Sequence, residues 1–313
     1  MSDSNVEQAK RVRERVASFG KVRQALIVAI IFSVVVGGTI RLLFPGTNAA
    51  VFVSIFDVAF FEAGLRAAVP IVFAGLGGIY AEKSGVINIG LEGLLIISAF
   101  TSVAVAHLVS GAGVGGEMSA WVGFLGGVAA STLLALVFAI IVIDFKADQI
   151  IAGLAVWLVG LGLGPFLSIV IWGSVNSDSV TQIQTLTIPG LSSIPIVGPL
   201  FFDANPAVMM MLLAVIGTWY VFNHTAFGRW IEASGENPSA LDTAGVDVRM
   251  VRYKAVIMSG ILSGFGGAGL AVARVGRFVG SGQTMVDGRG WIAITTYLFG
   301  NYNPLGTFGA GYL

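Results

Sequence analysis

The stretch AGLGGIYAEKSGVINIGLEG, residues 74–93, places six glycines together with Asn88 and Glu92 between two apolar runs. The run before it, 56–78, is long and apolar yet carries Glu62 and Arg66, and the run after it, 94–108, is apolar again. A helix crossing a bilayer hides its own backbone polarity, and a break is tolerated only where protein or a water-filled cavity receives the freed groups. A glycine-rich interruption flanked by Asn88 and Glu92 therefore reads as the lining of a pathway through an all-α, polytopic membrane protein.

Composition agrees with that fold class. Of 313 residues, 56% are hydrophobic and only 11% charged, against about 25% charged in soluble domains. The 43 glycines are about twice the usual share, and small residues let membrane helices approach closely, since packing rather than hydrophobicity drives their association in lipid. A formal net charge of zero argues against a nucleic-acid partner. The chain has no cysteine, which excludes disulfides and thiolate chemistry. Two histidines, His107 and His224, are too few and too far apart to suggest a metal cluster.

Apolar windows of about 17–25 residues mark spans, and they fall at 25–44, 57–80, 87–109, 119–143, 149–172, 207–223 and 254–273. A further run, Trp291–Phe299, is too short to cross alone. It reads as part of a broken or re-entrant helix, or of a span continuing past the NPLG turn. Residues 1–24 form a basic tail. With that tail inside, the inner segments hold Lys10, Arg11, Arg13, Arg15, Lys21, Arg23, Lys83, Lys146, Arg229, Arg249, Arg252 and Lys254, twelve of the seventeen basic residues. The positive-inside bias thus predicts a cytoplasmic N-terminus, with Arg274, Arg277 and Arg289 as an outer cluster. The outer loop 173–206 is polar at its start and punctuated by Pro189, Pro195, Pro199 and Pro206, which predicts an ordered cap or docking surface. Residues 74–78, AGLGG, are echoed by SGFGG at 263–267, 189 positions later and in a span of opposite direction. That is the pattern an inverted repeat produces.

Four polar residues are candidates for a solute path. Glu62 and Arg66 stand four apart on one helix face and can pair; intramembrane charges usually face the bundle interior or a cavity. Asn88 and Glu92 are also four apart, and on a helix they would share a face. For each pair the alternative is purely structural, as a salt bridge or a helix–helix hydrogen bond. On the inner side, Pro238 is suited to a first helical turn after Asn237, and Gly245 to a C-terminal cap. A short capped helix between two spans suits the transmission of force from a motor subunit. The chain lacks a GxxxxGK[ST] loop, so any ATP-driven step belongs to another chain. It also lacks GxSxG and HExxH motifs, which disfavours an enzyme.

Residues 64–100, GLRAAVPIVFAGLGGIYAEKSGVINIGLEGLLIISAF, resemble permease subunits of nucleoside-type ABC importers, within the wider group that includes ribose and branched-chain amino-acid permeases. GVINIGLEG (85–93) is the discriminating part. FKADQIIAGLAV (145–156), the segment 228–268 and GRGWIAITTYLFGNYNPLGTFGAGYL (288–313) match the family's habits as well. The resemblance implies about eight to ten spans in inverted repeats. It also implies partner ATPase subunits that bind ATP and magnesium, a second homologous permease, and an external binding protein or lipoprotein, with no cofactor in this chain itself. The segment 236–246 becomes the coupling helix, with Gly235, Glu236, Asn237, Pro238, Ala240, Asp242 and Gly245 as its contact residues. Family members continue through further spans after the PLGA block, so the second repeat is expected to be incomplete here and the sequence to be a fragment. A sugar permease of the same architecture is the nearest alternative; an ion-coupled secondary transporter is a distant one.

Overall fold

A computed structural model describes residues 58–187, 203–281 and 284–313. The chain divides into two compact units at Phe61/Glu62, and the second, Glu62–Leu313, is the helical bundle. The basic tail and the expected span 25–44 lie outside the described residues. Among the described residues ten helices succeed one another: α1 Val58–Lys83, α2 Leu91–Gly111, α3 Glu117–Ala139, α4 Gln149–Trp172, α5 Pro206–His224, α6 Ala226–Glu236, α7 Pro238–Thr243, α8 Val248–Leu270, α9 Arg289–Phe299 and α10 Pro304–Tyr312. A single π-helical turn extends α3 to Asp144 and another extends α8 to Val275. Six of these helices are long and apolar enough to cross a membrane. They coincide with the six spans expected between 57 and 273, within six residues at each end, the largest offset being the start of α8 at Val248 against the expected 254.

Burial sorts the spans. In its most apolar window α8 is 78% buried, whereas α4 is only 22% buried, so α8 is the central post and α4 turns most of its surface outward. Polar side chains tie the post to its neighbours, as is usual where lipid supplies no hydrophobic drive between helices. Ser98 Oγ of α2 donates to the Gly264 carbonyl at 2.6 Å, and Ser131 Oγ of α3 to the Gly260 carbonyl at 2.8 Å.

The sequence echo has a physical counterpart where α1 crosses α8. A Cβ on Gly77 would stand 2.8 Å from the Ser259 carbonyl, and one on Gly266 would stand 3.1 Å from the Pro70 carbonyl. Shifting Gly77 and Ser259 by the 189-residue offset, forward for the first and back for the second, converts one contact into the other. The two segments therefore cross antiparallel and reciprocally, as related halves do.

Trp291–Phe299 resolves as the end of α9, which stops at Phe299. Asn301 and Tyr302 adopt φ of 52° and 55°, in the left-handed region that ends a helix. Asn303 then caps α10, its Oδ1 accepting from the amides of Leu305 and Gly306. An 11-residue helix is only about 17 Å long, so α9 and α10 form a broken-helix hairpin rather than one span running through the NPLG turn.

The described residues of the loop after α4 are held by backbone hydrogen bonds. Residues 176–183 are zipped to the segment following α8: the amides of Ser177, Val180 and Ile183 donate to the carbonyls of Phe278, Gly276 and Val272 at 2.8–3.1 Å. Leu186–Thr187 then pairs antiparallel with Asp203–Ala204. Pro189, Pro195 and Pro199 lie outside the described residues; Pro206 opens α5.

Candidate functional site

The turn between α1 and α2 organises this half of the molecule. Neighbouring residues at the end of α1 reach in different directions. Glu82 accepts from the Tyr297 hydroxyl of α9 at 2.8 Å and from the Tyr302 hydroxyl of the α9–α10 turn at 3.4 Å. Burial first, and the Glu82 carboxylate second, push the Tyr302 phenol up from its usual value, so it remains a donor at neutral pH. Lys83 instead pairs with Glu232 of α6 at 2.5 Å and sits 4.7 Å above the Phe222 ring of α5. The Ser84 carbonyl accepts from Ser234 Oγ of α6 and from Arg252 Nε of α8, both at 3.2 Å, while Arg252 Nη2 reaches the Ser234 carbonyl at 3.0 Å. A Cβ on Gly235 would collide with the Lys83 carbonyl. The chain turns sharply at Gly85, with φ of 84°, and Gln149 of α4 holds the far side through Ile87 N and the Gly85 carbonyl.

Asn88 and Glu92 do not share a helix face. Asn88 Oδ1 accepts from Gly90 N at 3.0 Å, a local side-chain turn that competes with helix, so α2 begins only at Leu91. Asn88 Nδ2 donates across to Ser259 Oγ of α8 at 3.1 Å. Glu92, 2% exposed, accepts from Gly288 N at 2.8 Å and Gly290 N at 2.6 Å. Those amides open α9, whose first turn has no side-chain cap of its own. A carboxyl at that position satisfies orphan donors and complements the helix dipole. Asn88 thus joins elements 171 positions apart and Glu92 elements 198 positions apart.

The other pair stays together. Glu62 and Arg66 form an intrahelical ion pair, and Arg66 lines a cavity of about 440 Å³ at the other end of α1. Its polar lining is Arg66, Gln182, Gln184, Thr185, Asn205 and Arg274, and its volume falls in the range of about 300–1,000 Å³ typical of small-molecule sites. Asn205 is committed, capping α5 through Ala207 N and donating to the Ala273 carbonyl. Glu62 is not part of the lining.

Residues 226–245 fold as a helix, a break and a short helix. Glu236 is the last residue of α6, and Asn237, with φ of −147° and ψ of 78°, separates it from α7. Residues 236–246, expected as one coupling helix, therefore do not form one helix, because the residue before a proline is driven out of the α region. Asn237 Oδ1 caps Ala240 N at 3.0 Å, and Gly245 follows with φ of 81°. Leu241, 6% exposed, anchors α7, while Gly235, Glu236, Ala240, Asp242 and Gly245 are exposed and Pro238 half-buried. Among the described residues no group of three or more His, Asp or Glu stands together as a metal cluster.

Residues 60–313 match the family described as "Branched-chain amino acid transport system / permease component". The chain belongs to this family. It is a multi-pass membrane permease of the ABC-importer kind, which displaces the ion-coupled alternative. Similar curated proteins include the "Guanosine ABC transporter permease protein NupQ" of Bacillus subtilis, 38% identical over 251 residues, 79% of this chain and 77% of that one. The "Nucleoside ABC transporter permease protein NupC" of Lactococcus lactis is 36% identical, covering 76% and 74%. The "Glucose ABC transporter permease protein TsgB13" of Haloferax volcanii is 28% identical, covering 74% and 61%. No solved structure gives a significant match.

The sequence pointed to Glu62, Arg66, Asn88, Glu92 and the α7 segment. It missed Glu82, Tyr297, Tyr302, Lys83–Glu232 and the cavity residues Gln182 and Arg274. Glu82 carried one usable signal, a carboxylate in the last turn of an apolar helix, where a structural partner is expected.

Proposed function

We propose that this permease carries nucleosides, and that it does so with ATPase subunits, a second homologous permease and an external binding protein as partners. Its N-terminus and α7 lie on the cytoplasmic side. The 440 Å³ cavity is the outer station of the path, where guanidinium and amide donors meet the carbonyl and hydroxyl acceptors of a base and its sugar. α7 docks on the ATPase through its exposed face, and ATP-driven closure of the motor moves α6 and α1 as one body against the α9–α10 hairpin.

One observation carries the mechanism. The exposed, anchored α7 segment follows directly on α6, and α6 is bonded to the same turn whose other end caps α9. Likeness to guanosine and nucleoside permeases supports the cargo. A sugar is the second reading, supported by the glucose relative; both solutes present hydroxyls to the same donors.

The test is uptake of radiolabelled inosine and of glucose into vesicles holding the complete complex, with ATP and then with an uncoupler. Inosine uptake that needs ATP and survives the uncoupler is expected. Glucose uptake in its place would reverse the cargo. Replacement of Glu236 and Pro238 with uptake and ATPase coupling undiminished would sink the role of α7.

A further inference from the structure

We infer that the last turn of α1 is a two-handed clasp, and that Glu82 is a positioning residue that conveys movement of the α6–α7 module to the broken-helix hairpin. The inference rests on the importer reading and goes beyond it by naming the joint.

The geometry is economical. Glu82 and Lys83 are consecutive, about 100° apart around the helix axis, so one turn grips two different neighbours. Lys83 holds Glu232 on α6. Glu82 holds Tyr297 near the end of α9 and Tyr302 in the turn before α10. Further bonds stiffen the α6 side: the Ser84 carbonyl is shared by Ser234 and Arg252, and the close approach of Gly235 to the Lys83 carbonyl leaves no room for slippage. The hairpin side is different in kind. There the polar bonds run through one half-buried carboxylate and two phenols whose rings lie 5.8 Å apart, and both phenols belong to a hairpin capped at its other end by Glu92. A tight grip on one hand and an adjustable grip on the other is the arrangement of a joint. It lets α6 drag α1 as one body while the hairpin pivots on the Glu82 oxygens.

The alternative is that Glu82 merely stabilises the fold, and the two roles separate by measurement. Tyr297→Phe with Tyr302→Phe removes both donors and keeps both rings. Glu82→Gln keeps the shape and removes the charge that makes these hydrogen bonds strong. The complete complex in vesicles is assayed for ATP hydrolysed per nucleoside taken up. The clasp predicts uptake lowered about tenfold, the loss of one or two such bonds, with ATP hydrolysis within about twofold of the parent. ATP consumed per solute therefore rises several-fold. Adding Glu82→Gln to the double phenylalanine variant should change the ratio little further, because both act on one contact. Lys83→Gln, on the other hand of the clasp, should raise the same ratio.

An unchanged ATP-to-solute ratio in all of these variants overturns the clasp and leaves the importer reading intact. Hydrolysis and uptake falling together, in step with the amount of complex recovered by size-exclusion chromatography, assigns Glu82 to stability and also overturns it. Failure of the parent complex to show ATP-driven uptake of any nucleoside would instead overturn the nucleoside cargo, and failure with glucose as well would overturn the importer reading.

Discussion

Glu92 offers the sharpest test of how the structure works. Its two carboxyl oxygens accept from Gly288 N and Gly290 N, and both Glu92, 2% exposed, and Gly290 are buried, so water cannot take over the Gly290 amide. Glu92→Gln keeps the volume but leaves one side of the fork as an amide donor facing a donor. One backbone amide is stranded, at about 1–3 kcal/mol. Glu92→Met removes both acceptors and should cost more than the glutamine variant by the same reasoning. A loss of 1 kcal/mol shifts the midpoint by about 2–4 °C even in domains of 150–250 residues. The glutamine variant should therefore melt a few degrees below the parent in detergent and the methionine variant clearly lower. The assay is a thermal scan of purified protein at one fixed heating rate, since membrane proteins unfold irreversibly and the midpoint depends on rate. A direct solute contact makes the opposite forecast: unchanged melting with lost uptake. Parent-like melting of both variants would refute the capping argument.

Two further outcomes are expected from the packing. Gly77→Val should lower the yield of folded protein and destabilise it by about 1–3 kcal/mol or more, because its Cβ would stand 2.8 Å from the Ser259 carbonyl; comparison with an exposed-glycine control such as Gly217→Val checks this by detergent melting. Arg66→Leu should impair stability more than Glu62→Gln with Arg66→Leu together, since removing one partner strands the other charge; a double-mutant cycle on melting midpoints reads the difference.

Much of the scaffold was legible. The apolar runs located six helices because membrane thickness fixes their length, and Pro238 with Gly245 punctuated α7 because each has a backbone conformation few other residues share. The site was legible only where its partners were local. Glu62–Arg66 could be paired from a spacing of four. Asn88–Glu92 could not, since the helix that would align them yields to the Asn88–Gly90 turn. Glu82 and Tyr297 are 215 positions apart, and no periodicity links them. The cavity was invisible because four segments contribute to it and the loop residues Gln182 and Gln184 carry no pattern of their own.

The long separation of these partners has a consequence for synthesis. Asn88 waits 171 residues for Ser259, and Glu92 waits 198 for Gly290. At about 5–20 residues per second the second interval lasts roughly 10–40 s. Throughout it, the Glu92 carboxyl destined for a dry interior has no native partner in the chain made so far, and for most of it Asn88 Nδ2 waits as well, with only its Oδ1 bonded to Gly90. The glycine-rich turn must therefore be sheltered by the insertion machinery, or held at the water boundary, until α8 and α9 emerge. Completion of this half of the protein is timed by its latest helix rather than its first.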